Sequence, residues 1–286
     1  MKLFRIRTDD GTCKPACLDS QGRSRDLSIW VDEHWRALPS IVLNDEKLER
    51  CPLLPDFDVL ADAKMLAPCV GQVGKLICFG FNSKRHVEEM GLSLPDEPVF
   101  FMKATSAISG AYDPIIYPRC GEKLDWEAEL AVVIGKIGKY VTPEAARDMV
   151  LGFCCFNDVS DRGWQFEHAG NQHTKGKSFD SFAPMGPFLV TPDECLDPCH
   201  LLVSLKVNGE VRQSFSTHDY IYNVYEAISA MSQFFTLYPG DVIALGSGPG
   251  NAHAWGDGYL HIGDQVELSI GGLGTQRQSV IAEHNP

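Results

Sequence analysis

From Lys75 onward, apolar residues gather in short runs separated by Gly, Asn, Asp and Pro, the spacing of a strand-rich chain. "KLICFGFN", "DWEAELAVVIG" and "GFCCFNDVS" are near-continuous apolar runs of strand length, which predicts strands buried on both faces. "LVSLKVNGEVRQSFS" predicts a hairpin turning at Asn208-Gly209, because a two-residue hairpin loop needs positive φ at both central positions. "GDVIAL" and "GDQVELSI" predict strands that each open on a Gly-Asp turn. Helical spacing appears in "YNVYEAISAMSQFFTLYPG", where Val224, Ile228, Met231 and Phe235 share a face before Pro239. "SKRHVEEMG" predicts a short helix capped by Asn82 or Ser83 and stopped at Gly91. "TPEAARDMV" predicts another, with Thr142 as cap and Pro143 at its first position. Ahead of Lys75, "LFRIRTD" and "KPACLDS" suggest strands, "GRSRDLS" a turn, "LNDEKLERCPLLPD" a short helix and "LAPCVGQVGK" a connector. Strands dominate without a regular βαβ alternation, so the expected class is β-dominated α+β. The expected division is a small N-terminal unit over residues 1–70 and a larger one over 71–286.

Composition narrows the function classes. A chain of 286 residues, 44% hydrophobic and 22% charged, has room for a large core and needs no covalent staples. The formal net charge of -13, with no basic stripe, argues against nucleic acid as a partner. No apolar run approaches the ~20 residues of a membrane span, and "MKLFRIRTDDGT" lacks the apolar stretch of an export signal. The ten scattered cysteines, Cys78, Cys154 and Cys155 among apolar neighbours, read as reduced thiols, and a cytoplasmic location is expected.

Candidate chemistry begins with Glu127 and Glu129, which share a face of their strand because side chains alternate with period 2. Carboxylates that close repel one another unless a cation neutralises them. Asp158, at the end of "GFCCFND", is the next candidate ligand, and three carboxylates form an all-oxygen set suited to Mg²⁺, Mn²⁺ or Ca²⁺. The alternative is a solvent-facing Glu127 and a Glu129 paired with a lysine. His86 and Glu89 lie three apart on a helix, where a carboxylate orients an imidazole as a base; surface decoration is the commoner use of that spacing. Lys175 and Lys177 flank a glycine and could meet a substrate carboxylate, or lie on a solvated loop. "LGSGPGN" fits neither a P-loop nor a dinucleotide fingerprint; its N–H groups and the Ser247 hydroxyl suit an anion, or the stretch is a plain turn. Cys195, Cys199 and His200 lack the second ligand pair a zinc site needs.

Taken in order, these segments resemble the fumarylacetoacetate hydrolase family, in its branch of bacterial enzymes acting on short 2-keto or 2,4-diketo acids. "NSKRHVEEM" is similar to the family's N-Y-x-x-H-x-x-E-M segment, and "EPVFFMK" and "DWEAELAVVIGK" follow its pattern. "FNDVSDR", "KGKSFDSFAPMGPF", "PGDVIALGSGPG" and "GGLGTQRQ" come in the family's order, so the likeness runs from about Lys75 to the C-terminus. It implies a mixed β-roll or sandwich core, a homodimer, and in many members a smaller N-terminal domain. It implies Mg²⁺ or Mn²⁺, with Ca²⁺ able to substitute in crystals, held by Glu127, Glu129 and Asp158. It assigns catalysis to His86, Glu89 and Lys177, and substrate contacts to Lys103, Arg162, Gln165 and Ser247.

The implied reaction is hydrolysis of the C–C bond between two carbonyls of an acylpyruvate or a 2,4-diketo-3-deoxy sugar acid, such as the rhamnonate-derived one. The products are pyruvate and a carboxylic or hydroxy acid. In this scheme the metal polarises substrate oxygens, the His86–Glu89 pair deprotonates water, and Lys177 with the metal stabilises the departing enolate. The same scaffold also supports tautomerases and other isomerases, decarboxylases and hydratases. Two departures bear on specificity: Ser83 stands where the family has Tyr, and "GSGPG" replaces G-T-P-x-G, with Ser247 for Thr and a glycine inserted before the proline. "NAHAWGDGYLHIGD" also differs from the common version.

Overall fold

The computed structural model describes residues 1–35, 38, 43–55, 57–59, 61–170, 172–195 and 197–283. Its backbone is an 11-stranded sheet whose main path runs Ser24–Asp26, Cys13–Leu18, Lys2–Arg7, Leu189–Val190, Val150–Asn157, Ala128–Ile134, Val242–Ala244, Leu76–Gly80 and Val99–Lys103. Pairing along this path is antiparallel except between Val242–Ala244 and Leu76–Gly80, which run parallel. A second, 5-stranded sheet runs Glu210–Ser216, Leu202–Val207, Gln265–Ile270, Gly274–Ala282 and Ile115–Tyr117. The expected β-dominated α+β class holds, with short helices filling the connections.

Ala128–Ile134 is flanked by a strand on each side and all seven of its residues are buried, which is why its sequence does not alternate. The outer hairpin behaves in the opposite way. Leu202–Val207 follows the pattern of a strand wet on one face, and Asn208 and Gly209 take φ of 52° and 83° at its turn. Helix Val224–Phe234 is fixed by a capping box between Asn223 and Glu226, and it buries Val224, Ile228 and Met231. Phe235, expected on that helical face, is its extended C-cap instead. The helix predicted from Thr142 is helical only over Pro143–Ala146, then tightens to a 3₁₀ turn over Arg147–Met149. The strand begins at Val150, and a 3₁₀ turn covers the remaining distance with fewer residues.

The N-terminal segment differs from expectation at one place. "GRSRDLS" contains a strand, Ser24–Asp26, paired with Cys13–Leu18, and the turn lies earlier, where Gly22 N–H donates to the Asp19 carbonyl at 2.9 Å. The segment reads as polar because Arg25 is buried with its charge satisfied: its guanidinium donates to Asp19 and to the carbonyls of Leu48 and Cys51. The helix expected in "LNDEKLERCPLLPD" is Asp45–Glu49, capped by Asn44. Lys2–Arg7 pairs with Leu189–Val190, so the first strands hydrogen-bond directly to the main sheet. Among the described residues no helix is long and apolar enough to cross a membrane.

Candidate metal and catalytic site

The register of two central strands builds the site. Phe156 lies opposite Glu129 and Asn157 opposite Ala128, so the end of one strand meets the beginning of the next. Asp158 N–H donates to the Glu127 carbonyl at 2.9 Å, and the Asn157 side-chain oxygen accepts from Glu127 N–H at 3.1 Å. Glu127 and Glu129 point to the same face. As a result one carboxylate oxygen each from Glu127, Glu129 and Asp158 lies within 4.8 Å of the others, and all three residues are buried.

Cations surround this cluster, each placed by a different element. Lys177, from helix His173–Lys177, bridges Glu127 and Asp158, the latter at 2.7 Å. Lys103, at the end of its strand, donates to Asp158 and to the carbonyls of Val159 and Phe182. Arg162 reaches Glu127 at 2.6 Å, Asp125 at 2.8 Å and the Gln165 oxygen at 2.9 Å. Lys103, Arg162 and Lys177 thus pair with Asp125, Glu127 and Asp158, and Glu129 is left as the acid without a cation.

That inequality separates the two glutamates. Burial pushes the Glu127 carboxyl up, but Arg162 and Lys177 outweigh it and hold the group well below the usual carboxylate range. For Glu129, burial acts first and the charges of Asp158 and Glu127 add to it, so its carboxyl is pushed well above that range. Burial opposes the Lys177 ammonium as well, yet Asp158 and Glu127 overcome it and keep the group charged. Glu129 Oε2 accepts from Gly246 N–H at 2.9 Å, whereas its Oε1 is buried without a hydrogen-bond partner. An unpartnered oxygen among converging carboxylates, in an all-oxygen donor set, fits a hard divalent cation.

Glu127, Glu129, Arg162, Gln165, Lys177 and Ser247 line one cavity of about 200 Å³, which His86 also faces. Ser83 caps helix Lys84–Glu89 by accepting from His86 N–H at 3.1 Å, which settles the cap between Ser83 and Asn82. His86 Nδ1 meets Glu89 Oε2 at 3.0 Å, and Gly250 N–H holds both Glu89 oxygens at 3.1 Å. The Asn251 amide lies 3.4 Å from His86 Nε2. A carboxylate only accepts and an amide NH₂ only donates, so neutral His86 carries its proton on Nδ1 and keeps Nε2 as an acceptor, turned to the Asn251 amide at the cavity wall. The glycine-rich loop therefore spends the N–H groups of Gly246 and Gly250 on Glu129 and Glu89, and Ser247 Oγ accepts from Gln213 at 2.8 Å.

Of the metal, catalytic and substrate residues that the family likeness implied, Lys103 and Asp158 sit behind the cavity wall, and the others line it or, like Glu89, support a lining residue. Lys175 lies over the Trp164 ring instead. His200 pairs with Asp197 at 2.7 Å, and the carboxylate trio is the one candidate metal cluster among the described residues. Sequence reasoning missed Asp125, which is fully buried and accepts from Arg162 and from the N–H groups of Trp126, Ala252 and His253. Its signal was present, because Asp125, Glu127 and Glu129 are acids at alternate positions. Asn251, His173 and His253 had no comparable signal. Burial and then Lys177 push the His173 imidazole below its usual value; burial and then Arg162 do so for His253.

Comparison with known proteins identifies the family. Residues 75–281 match the fumarylacetoacetate (FAA) hydrolase C-terminal family. A Burkholderia multivorans protein, named only provisionally as a hydrolase, is 43% identical over 282 residues, covering 97% of this chain and 98% of its own. Among solved structures, a fumarylacetoacetate hydrolase from Exiguobacterium antarcticum is 35% identical with a TM-score of 0.85, over 99% of this chain and 100% of that one. A 5-carboxymethyl-2-hydroxymuconate delta-isomerase from Mycobacterium smegmatis is 29% identical with a TM-score of 0.77, over 100% of both chains. A maleylpyruvate hydrolase from Sphingobium sp. SYK-6, solved with manganese and pyruvate, is 26% identical with a TM-score of 0.77, over 99% of this chain and 100% of its own.

Proposed function

This chain belongs to the fumarylacetoacetate (FAA) hydrolase C-terminal family, and from that premise we propose that it hydrolyses the C–C bond of a 2,4-diketo acid, releasing pyruvate and a second acid. The observation that carries the reading is the His86 imidazole facing the cavity that Glu127 and Glu129 line, with Asp158 converging on them from behind its wall. Glu127, Glu129 and Asp158 would hold a divalent ion, Mg²⁺ or Mn²⁺, whose chemistry is Lewis-acid polarisation of a substrate carbonyl.

The chain's own residues do the rest. His86 Nε2 takes a proton from water, and the oxygen adds to the distal carbonyl carbon. Glu89, accepting from Nδ1, steadies the imidazolium that forms. The bond to the methylene carbon then breaks, its electron pair leaving as the enolate of pyruvate. Lys177 lines the cavity and stabilises that negative charge, and the proton on His86 Nε2 returns to the methylene carbon. Gly250 N–H keeps Glu89 in place through the cycle.

The likeness to a solved isomerase supports a second reading, in which the same base moves a proton between carbons without breaking the bond. The two separate in one assay. Acylpyruvates and 2,4-diketo sugar acids are incubated with Mg²⁺ or Mn²⁺, following enol absorbance and coupled pyruvate release together. Hydrolysis gives equal rates for both, lost with EDTA and restored by metal. Enol loss without pyruvate sinks the hydrolase and leaves the isomerase.

A further inference from the structure

The reaction leaves the distal half of the substrate open: a hydrocarbon acyl group, a polyhydroxylated chain and a second carboxylate all satisfy it. The cavity wall distinguishes them. Besides its charged, polar and imidazole side chains, it is formed by Phe79, Phe81, Met90, Leu92, Phe101 and Phe166. Four rings run on from one another, with centroids 5.3 Å apart from Phe101 to His173, 5.7 Å from His173 to Phe166, and 4.8 Å from Phe166 to a stacked His253. Such a wall offers face and edge contacts to another ring.

The wall's polar groups are mostly spent within the protein. The Gln165 oxygen accepts from Arg162 at 2.9 Å, and its NH₂ donates to His173 Nδ1 at 3.2 Å. The Asn251 oxygen accepts from Ala254 N–H at 2.9 Å, and its amide lies against His86. Ser247 Oγ is bonded to Gln213. Arg162 and Lys177 are each bound to two acids, so a distal carboxylate meets no lining cation that is unpaired among the described residues. Burial pushes the His173 and His253 imidazoles below their usual value and so favours their uncharged form, which leaves a few ring nitrogens against the several hydroxyls of a sugar acid. Hydroxyls that lose water without gaining partners are rejected.

We propose that the site takes 2,4-diketo mono-acids whose distal acyl group is apolar and ring-bearing, as in benzoylpyruvate, in preference to polyhydroxylated or dicarboxylic analogues. This rests on the hydrolase reading above, within which it selects a substrate class. Phe166, between the two imidazoles, is the specificity-determining residue.

The test measures kcat/KM of the full chain with Mg²⁺ for benzoylpyruvate, acetylpyruvate, a 2,4-diketo-3-deoxy hexonate and maleylpyruvate. Benzoylpyruvate should exceed the hexonate and maleylpyruvate by at least about tenfold. Phe166→Ala should lower the benzoylpyruvate-to-acetylpyruvate ratio by about tenfold or more, a ratio that a general folding defect does not move. A hexonate or maleylpyruvate rate equal to or above that of benzoylpyruvate overturns the inference and leaves the hydrolase reading intact. Absence of pyruvate from every compound overturns the hydrolase reading instead. The class preference is then read from the Tm shifts the same compounds produce with Mg²⁺, and a larger shift with the hexonate or maleylpyruvate overturns it.

Discussion

Glu127 and Glu129 are two residues apart, yet their replacement by glutamine should have opposite effects on the metal-free protein. Glu127 is bonded to Arg162 at 2.6 Å and to Lys177, both buried, so Glu127→Gln leaves two cations short of a shared anion. Removing one partner of a buried ion pair costs about 3–5 kcal/mol. At roughly 2–4 °C per kcal/mol for a chain of this size, Tm should fall by roughly 6 °C or more. Glu129 has no cation, and only its Oε2 is hydrogen-bonded, to Gly246 N–H. A glutamine there keeps an acceptor for Gly246 and places an NH₂ toward the other two carboxylates, so the change should stay within about 1 kcal/mol of neutral. Thermal and urea unfolding in EDTA measure both. Repeated with Mg²⁺ or Mn²⁺ at about 100 times Kd, wild type should gain about 2.7 kcal/mol, and both variants should lose that gain. A Glu129→Gln protein as damaged as Glu127→Gln in EDTA, or one still stabilised by metal, would refute the reasoning.

Three further outcomes follow from the site and its surroundings. His86→Ala should lower kcat by roughly 10²–10⁴-fold, with the metal-induced Tm gain retained because His86 is not one of the three carboxylates; loss of that gain would place His86 in the metal site instead. Gly250→Ala should shift the loop, since φ is +98° and a Cβ would lie 2.1 Å from the Arg212 carbonyl oxygen. The expected cost is about 1–3 kcal/mol together with reduced kcat as Glu89 loses its N–H donor, and wild-type turnover would show that contact to be idle. At Asp19, burial raises the carboxyl, but hydrogen bonds from Arg23, Arg25 and the Gln21 N–H outweigh it and hold it well below the usual range. A carboxyl lowered by folding contributes stability that is complete above its unfolded value, about 3.9, and lost as pH falls through its folded one. The stability gap between Asp19→Asn and wild type should therefore be constant above about pH 5 and narrow below about pH 4; a gap independent of pH down to 2 would contradict the assignment.

The sequence made local features legible. Period 2 placed Glu127 and Glu129 on one face, Asn208-Gly209 located the hairpin, and the spacing from Val224 located the long helix. What it concealed depends on distant pairing. Lys103 meets Asp158 across 55 positions, and Asp125 meets Ala252 across 127, so neither partnership leaves a periodic trace. Arg25 disguised a strand as a turn because its buried charge is satisfied by carbonyls far along the chain. The likeness to a known family supplied the order of the site segments, but not the aromatic and imidazole wall, which uses His173, Phe166 and His253 from outside the matching motifs.

The pairing of Phe156 with Glu129 has a consequence for how such a chain can diverge. The acids are positioned by strand register, whereas the cavity wall comes largely from loops and short helices. Insertions or substitutions in those loops can alter which molecules are admitted without displacing the acids. A one-residue slip between the two central strands would turn every side chain to the opposite face and erase the acidic cluster in a single event. The chemistry is therefore inherited with the sheet, and selectivity is free to drift around it.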